Sequence, residues 1–507
     1  MEIQKPVPSA GRRSFAPGDL IVACDPLVWA LERSAYKTRC AFCLEESSEL
    51  RACSGCQLHR YCNSTCQAAD WKVEHKLECA MLKKISSQSH KELTGILALL
   101  PEAGSCLFPI IMDMIAKLVN KIKLNTTTDV PGLGPKSASD LLLLLPANPA
   151  HAAAERIMLP TMSFSGAENA TVLDLPVMDF LKYFGILHYN FMPICDVLDD
   201  SACIGLAVYP QASRRQMTPV CLDINVALNC RGRQLVVHAV ESIQEYTGLH
   251  DLRYTAVQEP FNLTRTERRA DFQKYHGYPC TCRKCTEEYD ADINPLKCVT
   301  MGCTNRIPSD SRARAACSEC GALNGDRLAQ FRRFMQQLDT IIRHPREHNQ
   351  ARITELCEKM EAAGILQSGA HIRYVYGWKL WEKYLEEGRC EEGCRLMDEL
   401  VECMRNVYPQ YEVIRAILLI TAGTAAVSAL DKRVLKGMQP LSEPAKSKLE
   451  ALAAYMGGRI LGYCKEAYDI LLVLFGKQSK EVRTSITVLK GVSAQLYRIE
   501  QAFHGRK

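Results

Sequence analysis

Residues 40–79 have the sequence CAFCLEESSELRACSGCQLHRYCNSTCQAADWKVEHKLEC. This stretch holds seven cysteines and two histidines, and the cysteines together with His75 form four closely spaced pairs, enough ligands for two tetrahedral zinc ions. The pairs are Cys40 with Cys43, Cys53 with Cys56, Cys62 with Cys66, and His75 with Cys79. A two-residue spacing lets both thiolates reach one ion, and a three-residue spacing on a helix puts both ligands on one face. Because so short a segment buries little apolar surface, bound metal must supply much of its folding energy.

The rest of the 507-residue chain has a globular composition and enough length for three or four domains. Hydrophobic residues make up 47 % and charged residues 23 %, which excludes wholesale disorder. The net charge of +5 arises from 62 basic and 57 acidic residues, a balance too even for a general nucleic-acid-binding protein. The 25 cysteines are many for this length, and their meaning depends on the redox compartment.

Nothing in the sequence directs these cysteines to an oxidising compartment. The first residues, MEIQKPVPSAGRRSF, lack the apolar core of a secretory signal. The longest apolar stretch, residues 416–430, is shorter than the ~20 residues that a bilayer requires and contains Thr421 and Gly423. We therefore expect an intracellular, soluble protein in which clustered cysteines bind metal or act in catalysis rather than form disulfides.

Two further cysteine groups lie downstream. The segment YPCTCRKC offers three thiolates, which need a fourth ligand from elsewhere, and two later pairs have the spacing of a small zinc ribbon. The alternatives are free thiols packed in a strand or unpaired at the surface. The two groups are Cys280, Cys282 and Cys285, and Cys298, Cys303, Cys317 and Cys320. Other cysteines without ligand spacing are predicted to pack in the core: Cys106, Cys203, Cys357, Cys390, Cys394, Cys403 and Cys464.

With Tyr61 before Cys62 and the string QAADWKVEHKLEC, the first cluster resembles a MYND finger. A MYND finger followed much later by a C-x-C-x-x-C tripod is similar to the SET-and-MYND (SMYD) family of protein lysine methyltransferases. In that family the finger pairs interleave, and the fourth ligand of the tripod is the cysteine of an N-H-S-C motif. The corresponding segment here is QMTPVCLDIN, which contains Cys221.

The resemblance implies four zinc ions, two in the finger, one in the post-SET site and one in the ribbon. The implied ligand sets are Cys40, Cys43, Cys62 and Cys66; Cys53, Cys56, His75 and Cys79; Cys221, Cys280, Cys282 and Cys285; and Cys298, Cys303, Cys317 and Cys320.

The resemblance covers nearly the whole chain and implies an α+β multidomain fold. A β-rich SET core is split by the MYND finger and followed by a post-SET zinc site, a small zinc ribbon and an all-α TPR-like C-terminal domain. A turn signal at residues 17–19 precedes a predicted strand, and helical spacing dominates after Asn324. The predicted domains are an N-terminal part of SET at 1–39, the finger at 40–79, a helical insert at 80–180, the SET core at 181–258, the post-SET motif at 259–292, the ribbon at 293–324 and the helical domain at 325–507.

In the family, S-adenosylmethionine gives its methyl group to a neutral lysine amine beside a tyrosine hydroxyl. Tyr254 is the tyrosine nearest to that catalytic position, although counting back from E-R-R at residues 267–269 puts Val257 or Gln258 there instead. The resemblance also implies cofactor-binding roles for Asn190, Thr218 and Tyr278. A tyrosine at a strand end has an alternative role as a core residue with a satisfied hydroxyl.

Three departures from the family pattern weaken the predicted cofactor pocket. The loop G-x-G-L corresponds to GRRS at residues 11–14, where arginine replaces the second glycine and adds bulk. N-H-S-C has become T-P-V-C at residues 218–221, and proline removes a backbone donor. G-E-E-L corresponds to residues 247–250 or 251–254, and neither keeps the motif. Three lost contacts of ~1 kcal/mol each would weaken cofactor binding about a hundredfold.

Two functions are therefore predicted side by side. The first is a protein-lysine methyltransferase that uses S-adenosylmethionine on a histone or non-histone substrate, with a degenerate cofactor site. The second is a weak or inactive zinc-dependent adaptor, whose helical array binds a partner and whose finger binds proline-containing peptides through Trp71, Gln67 and Tyr61. An alternative for Trp71 is packing in the small core of the finger. We expect a monomer in the nucleus and cytoplasm.

A row of lysines at the end of the finger segment suggests DNA binding as a further hypothesis. Lys72, Lys76, Lys83 and Lys84 form this row, but Glu74 and Glu78 interleave with it. Interleaved charges favour a solvated helix face, so direct DNA binding is not expected.

Overall fold

The computed structural model describes residues 14–87, 108–130, 134–146, 171–172, 175–196, 202–213, 216–255, 265–286, 296–307, 316–343, 349–366, 377, 380–381, 383–384, 387, 389–436, 443–477 and 479–504. The chain divides into two compact units. The first unit comprises Met1–Pro219 and Ile224–Tyr254, and the second comprises Val220–Asp223 and Thr255–Lys507.

The described strands are β1 (Leu20–Cys24), β2 (Val28–Leu31), β3 (Arg51–Ala52), β4 (Arg60–Tyr61), β5 (Thr127–Val130), β6 (Gly134–Ser137), β7 (Thr171–Val172), β8 (Leu175–Pro176), β9 (Phe191–Asp196), β10 (Ala202–Val208), β11 (Thr218–Val220), β12 (Val226–Arg231), β13 (Gln234–Ala239), β14 (Arg253–Thr255), β15 (Leu296–Lys297) and β16 (Arg306–Ile307). The described α-helices are α1 (Ala35–Thr38), α2 (Ser64–Asp70), α3 (Lys76–Ser87), α4 (Phe108–Lys123), α5 (Ala138–Leu143), α6 (Val177–Asn190), α7 (Arg265–His276), α8 (Arg283–Thr286), α9 (Gly325–Arg343), α10 (Asn349–Ala362), α11 (Cys390–Val407), α12 (Val413–Lys436), α13 (Glu443–Phe475) and α14 (Lys480–His504).

Two three-stranded antiparallel sheets, with the orders β1-β13-β12 and β2-β10-β9, form the centre of the first unit. Strand β2, VWAL, is apolar throughout because it is buried on both faces. Its residues alternate between two hydrophobic clusters, Val28 and Ala30 in one, Trp29 and Leu31 in the other. Helices α4 and α6 pack on the side of Val28 and Ala30. Burial on both faces thus holds β2, the last strand before the finger, firmly in its sheet.

The turns of the first unit follow the predicted sequence signals. Gly18 adopts a φ of 90° in the predicted turn before β1. The sequence RGR at residues 231–233 forms the turn between β12 and β13, with Arg231 opposite Gln234 and Gly232 at a φ of 61°. Within the predicted helical insert, α4 and α5 are helices, but strands β5 and β6 pair in an antiparallel ladder. Residues 88–107 of the insert lie outside the described residues.

Most of the described elements of the second unit are helices, and β15 and β16 pair in a short antiparallel hairpin. Phe331 and Phe334 of α9 pack with Leu296 and Ile307 of that hairpin in one hydrophobic cluster. Helices α12, α13 and α14 pack against one another along their length. Glu466 of α13 accepts hydrogen bonds from Arg405 and Arg415 on two other helices. Among the described helices, none combines the length and the apolar character that a membrane crossing requires.

Candidate metal centres and active site

The finger gathers its eight predicted ligands into two separate sets. Cys40, Cys43, Cys62 and Cys66 form one set, and Cys53, Cys56, His75 and Cys79 the other. In each set the ligand atoms lie within 4.8 Å of one another. The first pair thus shares a set with the third and the second pair with the fourth, so the pairs interleave as the resemblance implies.

Local structure sets the direction of these ligands. Asn63 caps α2 by accepting a hydrogen bond from the backbone N–H of Cys66 at 2.8 Å, which holds the start of the helix beside Cys62. A π-helical turn, Trp71–His75, joins α2 to α3. His75 ends this turn, and its Nε2 lies 3.3 Å from the sulfur of Cys53. Such turns are frequent at functional sites.

A third set lies in the second unit and joins two distant segments. Cys221 Sγ is 3.6 Å from Cys282 Sγ and 3.2 Å from Cys285 Sγ, and Cys280 completes the set. The Thr255 hydroxyl donates to the carbonyl of Cys221, which fixes that backbone. The structure thus brings Cys221 to the tripod.

The fourth set connects the β15–β16 hairpin to the loop before α9. Cys298 and Cys320 are 3.5 Å apart, and Cys303 and Cys317 are 3.7 Å apart. Gly321, which follows the last of these, adopts a φ of 70° that a side chain would disfavour. The ribbon cysteines therefore converge as their spacing predicts.

The sulfur separations in all four sets suit a tetrahedral zinc ion. Zinc–sulfur bonds of about 2.3 Å at tetrahedral angles separate the ligand sulfurs by about 3.8 Å. The sulfur–sulfur contacts of the four sets span 3.2 to 3.9 Å. No ligand needs to move far to reach a common ion.

Hydrogen bonds inside these sets lower the pKa of some sulfurs and raise that of their partners, and the thiolate is the form that binds metal. The thiol of Cys43 lowers the pKa of Cys40 to about 5. The side-chain amide of Asn305 lowers the pKa of Cys317 to about 6. In the third set, hydrogen bonds led by that from Cys221 hold the pKa of Cys282 well below its usual value. The first, fourth and third sets therefore each contain a sulfur whose lowered pKa favours the thiolate.

A group of buried charges lies beneath the finger, and the sequence did not predict it. We call it the buried charge cluster; it consists of Asp70, Glu74, Glu78, Lys117, Lys121 and Arg233. Arg233, from the β12–β13 hairpin, lies 2.8 Å from Asp70 and 3.6 Å from Glu74. Lys117 lies 3.1 Å from Glu78. The expectation that Glu74 and Glu78 lie on a solvated face was wrong, because both point inward, where cations from α4 and the hairpin neutralise them.

Aromatic rings connect this cluster to the second finger set. The indole N–H of Trp29 donates to Glu74 at 2.9 Å, and its ring lies between Lys117 and Arg233. His59, which the sequence did not single out, stacks on His75 at 4.7 Å and lies 3.4 Å from the Asp70 carboxylate. Burial lowers the pKa of His59 to about 4, so this ring is neutral at pH 7. The ring of His59 thus packs against the predicted metal ligand His75.

With the two glutamates turned inward, Lys72, Lys76 and Lys83 form an exposed row. Because Glu74 and Glu78 are buried, their charges do not interrupt this row, and the absence of DNA binding stays a prediction.

Asn190 and Thr218, two of the predicted cofactor-binding residues, differ in the hydrogen-bonding atoms that they could present to a cofactor. The side-chain amide of Asn190 donates to the carbonyls of Pro146 and Ile186, while its Oδ1 is buried and has no hydrogen-bond partner among the described residues. That oxygen suits a donor on a bound molecule. The hydroxyl of Thr218 donates a hydrogen bond to the backbone carbonyl of His250, and the backbone N–H of Thr218 donates to the carbonyl of Leu252. Both Thr218 donors are therefore already used by the protein.

The two predicted tyrosines lie in different units. Tyr254, in β14, is half-buried and packs against the core of the first unit. Tyr278, in the second unit, is exposed, with its ring edge against Phe272 and His276. Residues 11–13 of the predicted glycine-rich loop, together with Val257 and Gln258, lie outside the described residues, and Ser14 is exposed.

The predicted peptide contacts on the finger need one correction. Tyr61 is 1 % exposed and donates its hydroxyl to Asp70 at 2.7 Å, so it cannot contact a partner. Trp71 is 44 % exposed, so it does not pack in a closed core, and Gln67 is half-buried. Of the three candidates, Trp71 has the most accessible surface.

The cysteines outside the four sets show a second correction. Cys403 and Cys464 are buried, as predicted. Cys203 is exposed, so its predicted core packing was wrong: it precedes a β-bulge in β10, where the alternation of faces is interrupted. The side chains of Cys106, Cys357, Cys390 and Cys394 lie outside the described residues.

Together these features define a protein organised around clusters of cysteine and histidine that suit zinc. The family model for the MYND finger matches residues 40–79. The chain is 23 % identical to histone-lysine N-methyltransferase ASHR1 of Arabidopsis thaliana, over 62 % of each chain. It is 25 % identical to histone-lysine N-methyltransferase SMYD3 of Mus musculus over 56 % of this chain and 60 % of that protein, and equally identical to the Homo sapiens protein over 55 % and 58 %.

The finger match and these relatives make the chain similar to SET and MYND domain-containing (SMYD) proteins. The chain spans about 60 % of the length of the relatives that it matches.

Proposed function

We propose that this chain is a zinc-organised protein-lysine methyltransferase that uses S-adenosylmethionine. The similarity to proteins named histone-lysine N-methyltransferases, over 55–62 % of this chain, carries the proposal. Each of the four ligand sets would hold one zinc ion. Strands β1 and β2 before the finger, with β9 to β13 after it, would form the split SET core, and α9 to α14 the TPR-like domain.

Two residues of this chain would have separate roles in methyl transfer, one in binding the cofactor and one in positioning the substrate lysine. Bound S-adenosylmethionine would supply an electrophilic methyl group. The buried Oδ1 of Asn190 would accept a hydrogen bond from the cofactor, and the half-buried Tyr254 hydroxyl would orient the lysine amine. A lysine amine has a pKa near 10.4 in water, so desolvation in an apolar channel would favour the neutral nucleophile.

Tyr254→Phe is the first test of the catalytic assignment. We expect it to lower turnover by about 10²-fold or more without changing the melting temperature, because it removes one positioning hydroxyl. Tyr246→Phe is the matched control, since Tyr246 also packs against the core of the first unit. Methyl transfer to a lysine peptide array measures both variants. Equal turnover in Tyr254→Phe and wild-type protein would contradict the assignment of this tyrosine.

Calorimetric titration of S-adenosylmethionine into zinc-replete protein tests the proposal as a whole. Binding with micromolar affinity, weakened in Asn190→Ala, would support the enzyme. The absence of heat and of thermal stabilisation at millimolar cofactor, on folded protein, would reject it.

The alternative function, a zinc-dependent adaptor, is favoured by a specific surface. Trp71, Val73 and Leu77 are between 42 % and 62 % exposed along the finger helix, and such apolar surface suits a peptide partner. The two occupied donors of Thr218 also favour the adaptor, because neither is available to a cofactor. This adaptor would bind proline-containing peptides through the finger.

Trp71→Ala separates peptide binding from folding. We expect it to weaken binding of a proline-containing peptide at least tenfold while the zinc content stays unchanged, because an exposed indole supplies contact area without supporting the core. Tyr497→Ala, which removes another exposed aromatic ring, is the control. Fluorescence anisotropy with labelled proline-containing peptides measures both variants, and unchanged affinity in Trp71→Ala would contradict the role of the tryptophan.

A further inference from the structure

Two cysteines outside the four ligand sets face each other across a strand pair. Cys195 of β9 and Cys203 of β10 are direct partners in the antiparallel register. The register shifts immediately afterwards, between Cys203 and Gly205. Cys203 is exposed and Cys195 is half-buried.

The position of this pair satisfies the geometric requirement of a disulfide. Directly opposed residues of antiparallel strands have Cα atoms about 4.5 to 5.5 Å apart. Disulfides form across Cα separations of about 4.4 to 6.8 Å. The two thiols can therefore join without separating the strands, and the adjacent bulge gives the strand local freedom to adjust.

We propose that Cys195 and Cys203 form a peroxide-sensitive dithiol, a modification site independent of zinc binding and of methyl transfer. The thiolate of Cys203 attacks one oxygen of hydrogen peroxide; the O–O bond breaks, hydroxide leaves, and Cys203 becomes a sulfenic acid. The sulfur of Cys195 then attacks that sulfur, the S–O bond breaks, and the departing hydroxide takes the Cys195 proton as water. In total, two thiols and one peroxide give one disulfide and two waters, and two electrons pass from sulfur to peroxide.

The electrostatics assign the roles within the pair. Cys203 is the exposed thiol of the pair, and a hydrogen bond from the thiol of Cys195 lowers its pKa, which favours the thiolate at Cys203. The same bond raises the pKa of Cys195. Cys203 is therefore the attacking residue and Cys195 the resolving one. Burial raises the pKa of the neighbouring Cys230 to about 11, which makes it a matched unreactive thiol.

The test uses the full zinc-loaded chain, hydrogen peroxide at a few molar equivalents, an acid quench with N-ethylmaleimide, and peptide mass spectrometry. Cleavage after lysine and arginine and before aspartate separates the two cysteines into peptides 183–195 and 200–214. We expect these peptides to appear cross-linked in most molecules. Cys195→Ser should abolish the cross-link and leave a Cys203 sulfenic acid that dimedone traps, whereas Cys230→Ser should keep the cross-link.

Three results would overturn the proposal. The first is a Cys203 sulfinic acid without a cross-link in the wild-type chain. The second is a cross-link from Cys203 to a cysteine other than Cys195. The third is zinc release, measured with a chromogenic chelator, before any cross-link appears, because the ligand thiols would then be the more reactive groups.

Discussion

Replacing Cys221 with serine should remove one zinc ion from the protein and destabilise the second unit. Cys221 is the one ligand of its set that comes from a distant segment, and its sulfur lies 3.2 Å from that of Cys285. Structural zinc contributes its binding free energy to folding, so a site reduced to three thiolates should lose about 3 kcal/mol or more. For a unit of this size that corresponds to about 6–12 °C in melting temperature.

Cys230→Ser is the control for this variant, because Cys230 belongs to none of the four sets. It should keep every zinc ion and melt within a few degrees of the wild-type protein. Differential scanning calorimetry with zinc analysis measures both variants. If Cys221→Ser retains the wild-type zinc content, Cys221 is not a ligand.

Replacing Arg233 with methionine should destabilise the first unit by about 3–5 kcal/mol. Arg233 neutralises Asp70, which is 1 % exposed, and also approaches Glu74. Removing one member of a buried ion pair leaves the other charge without compensation in a region of low dielectric constant. The variant also loses the contact of the guanidinium with the Trp29 ring, 4.8 Å from its centroid.

Arg389→Met provides the matched comparison at an exposed site. Arg389 pairs with Glu392 at 2.8 Å, but both side chains are more than two-fifths exposed. Solvent screening should limit the loss to a small fraction of that expected for Arg233→Met. Urea unfolding measures both variants, and equal destabilisation would contradict a structural role for the buried charge cluster.

The metal-binding part of the structure was the most predictable from sequence, because ligand spacing is a local property. The finger pairs and the ribbon pairs converge as their spacing indicates. The role of Cys221 as the fourth ligand could not be predicted from local spacing, because some sixty residues separate it from the tripod. That prediction required the family resemblance. That each set holds zinc stays a prediction.

The buried charge cluster could not be found in the same way. Asp70, Glu74 and Glu78 recur every four residues, which marks one helix face, but lysines two residues away from the glutamates give the same segment the pattern of a solvated helix. The partner that decides the outcome, Arg233, lies 163 residues from Asp70. A helix pattern alone does not reveal whether a distant cation covers its acidic face.

The predicted cofactor residues illustrate a similar limit. The replacement of asparagine by threonine at position 218 suggested a weakened site, but the destination of the Thr218 hydroxyl depends on the turn before β14, where it meets the carbonyl of His250. Conversely, Asn190 keeps an unpartnered buried oxygen that its sequence context does not reveal.

The number of zinc ions per folded chain decides whether four ligand sets organise this protein. Native mass spectrometry of the full chain, refolded in excess zinc and freed of loose metal by gel filtration, counts the ions directly. We predict four zinc ions, falling to three in Cys221→Ser and remaining four in Cys230→Ser. A folded chain that carries only two, or that loses none in Cys221→Ser, would contradict the account.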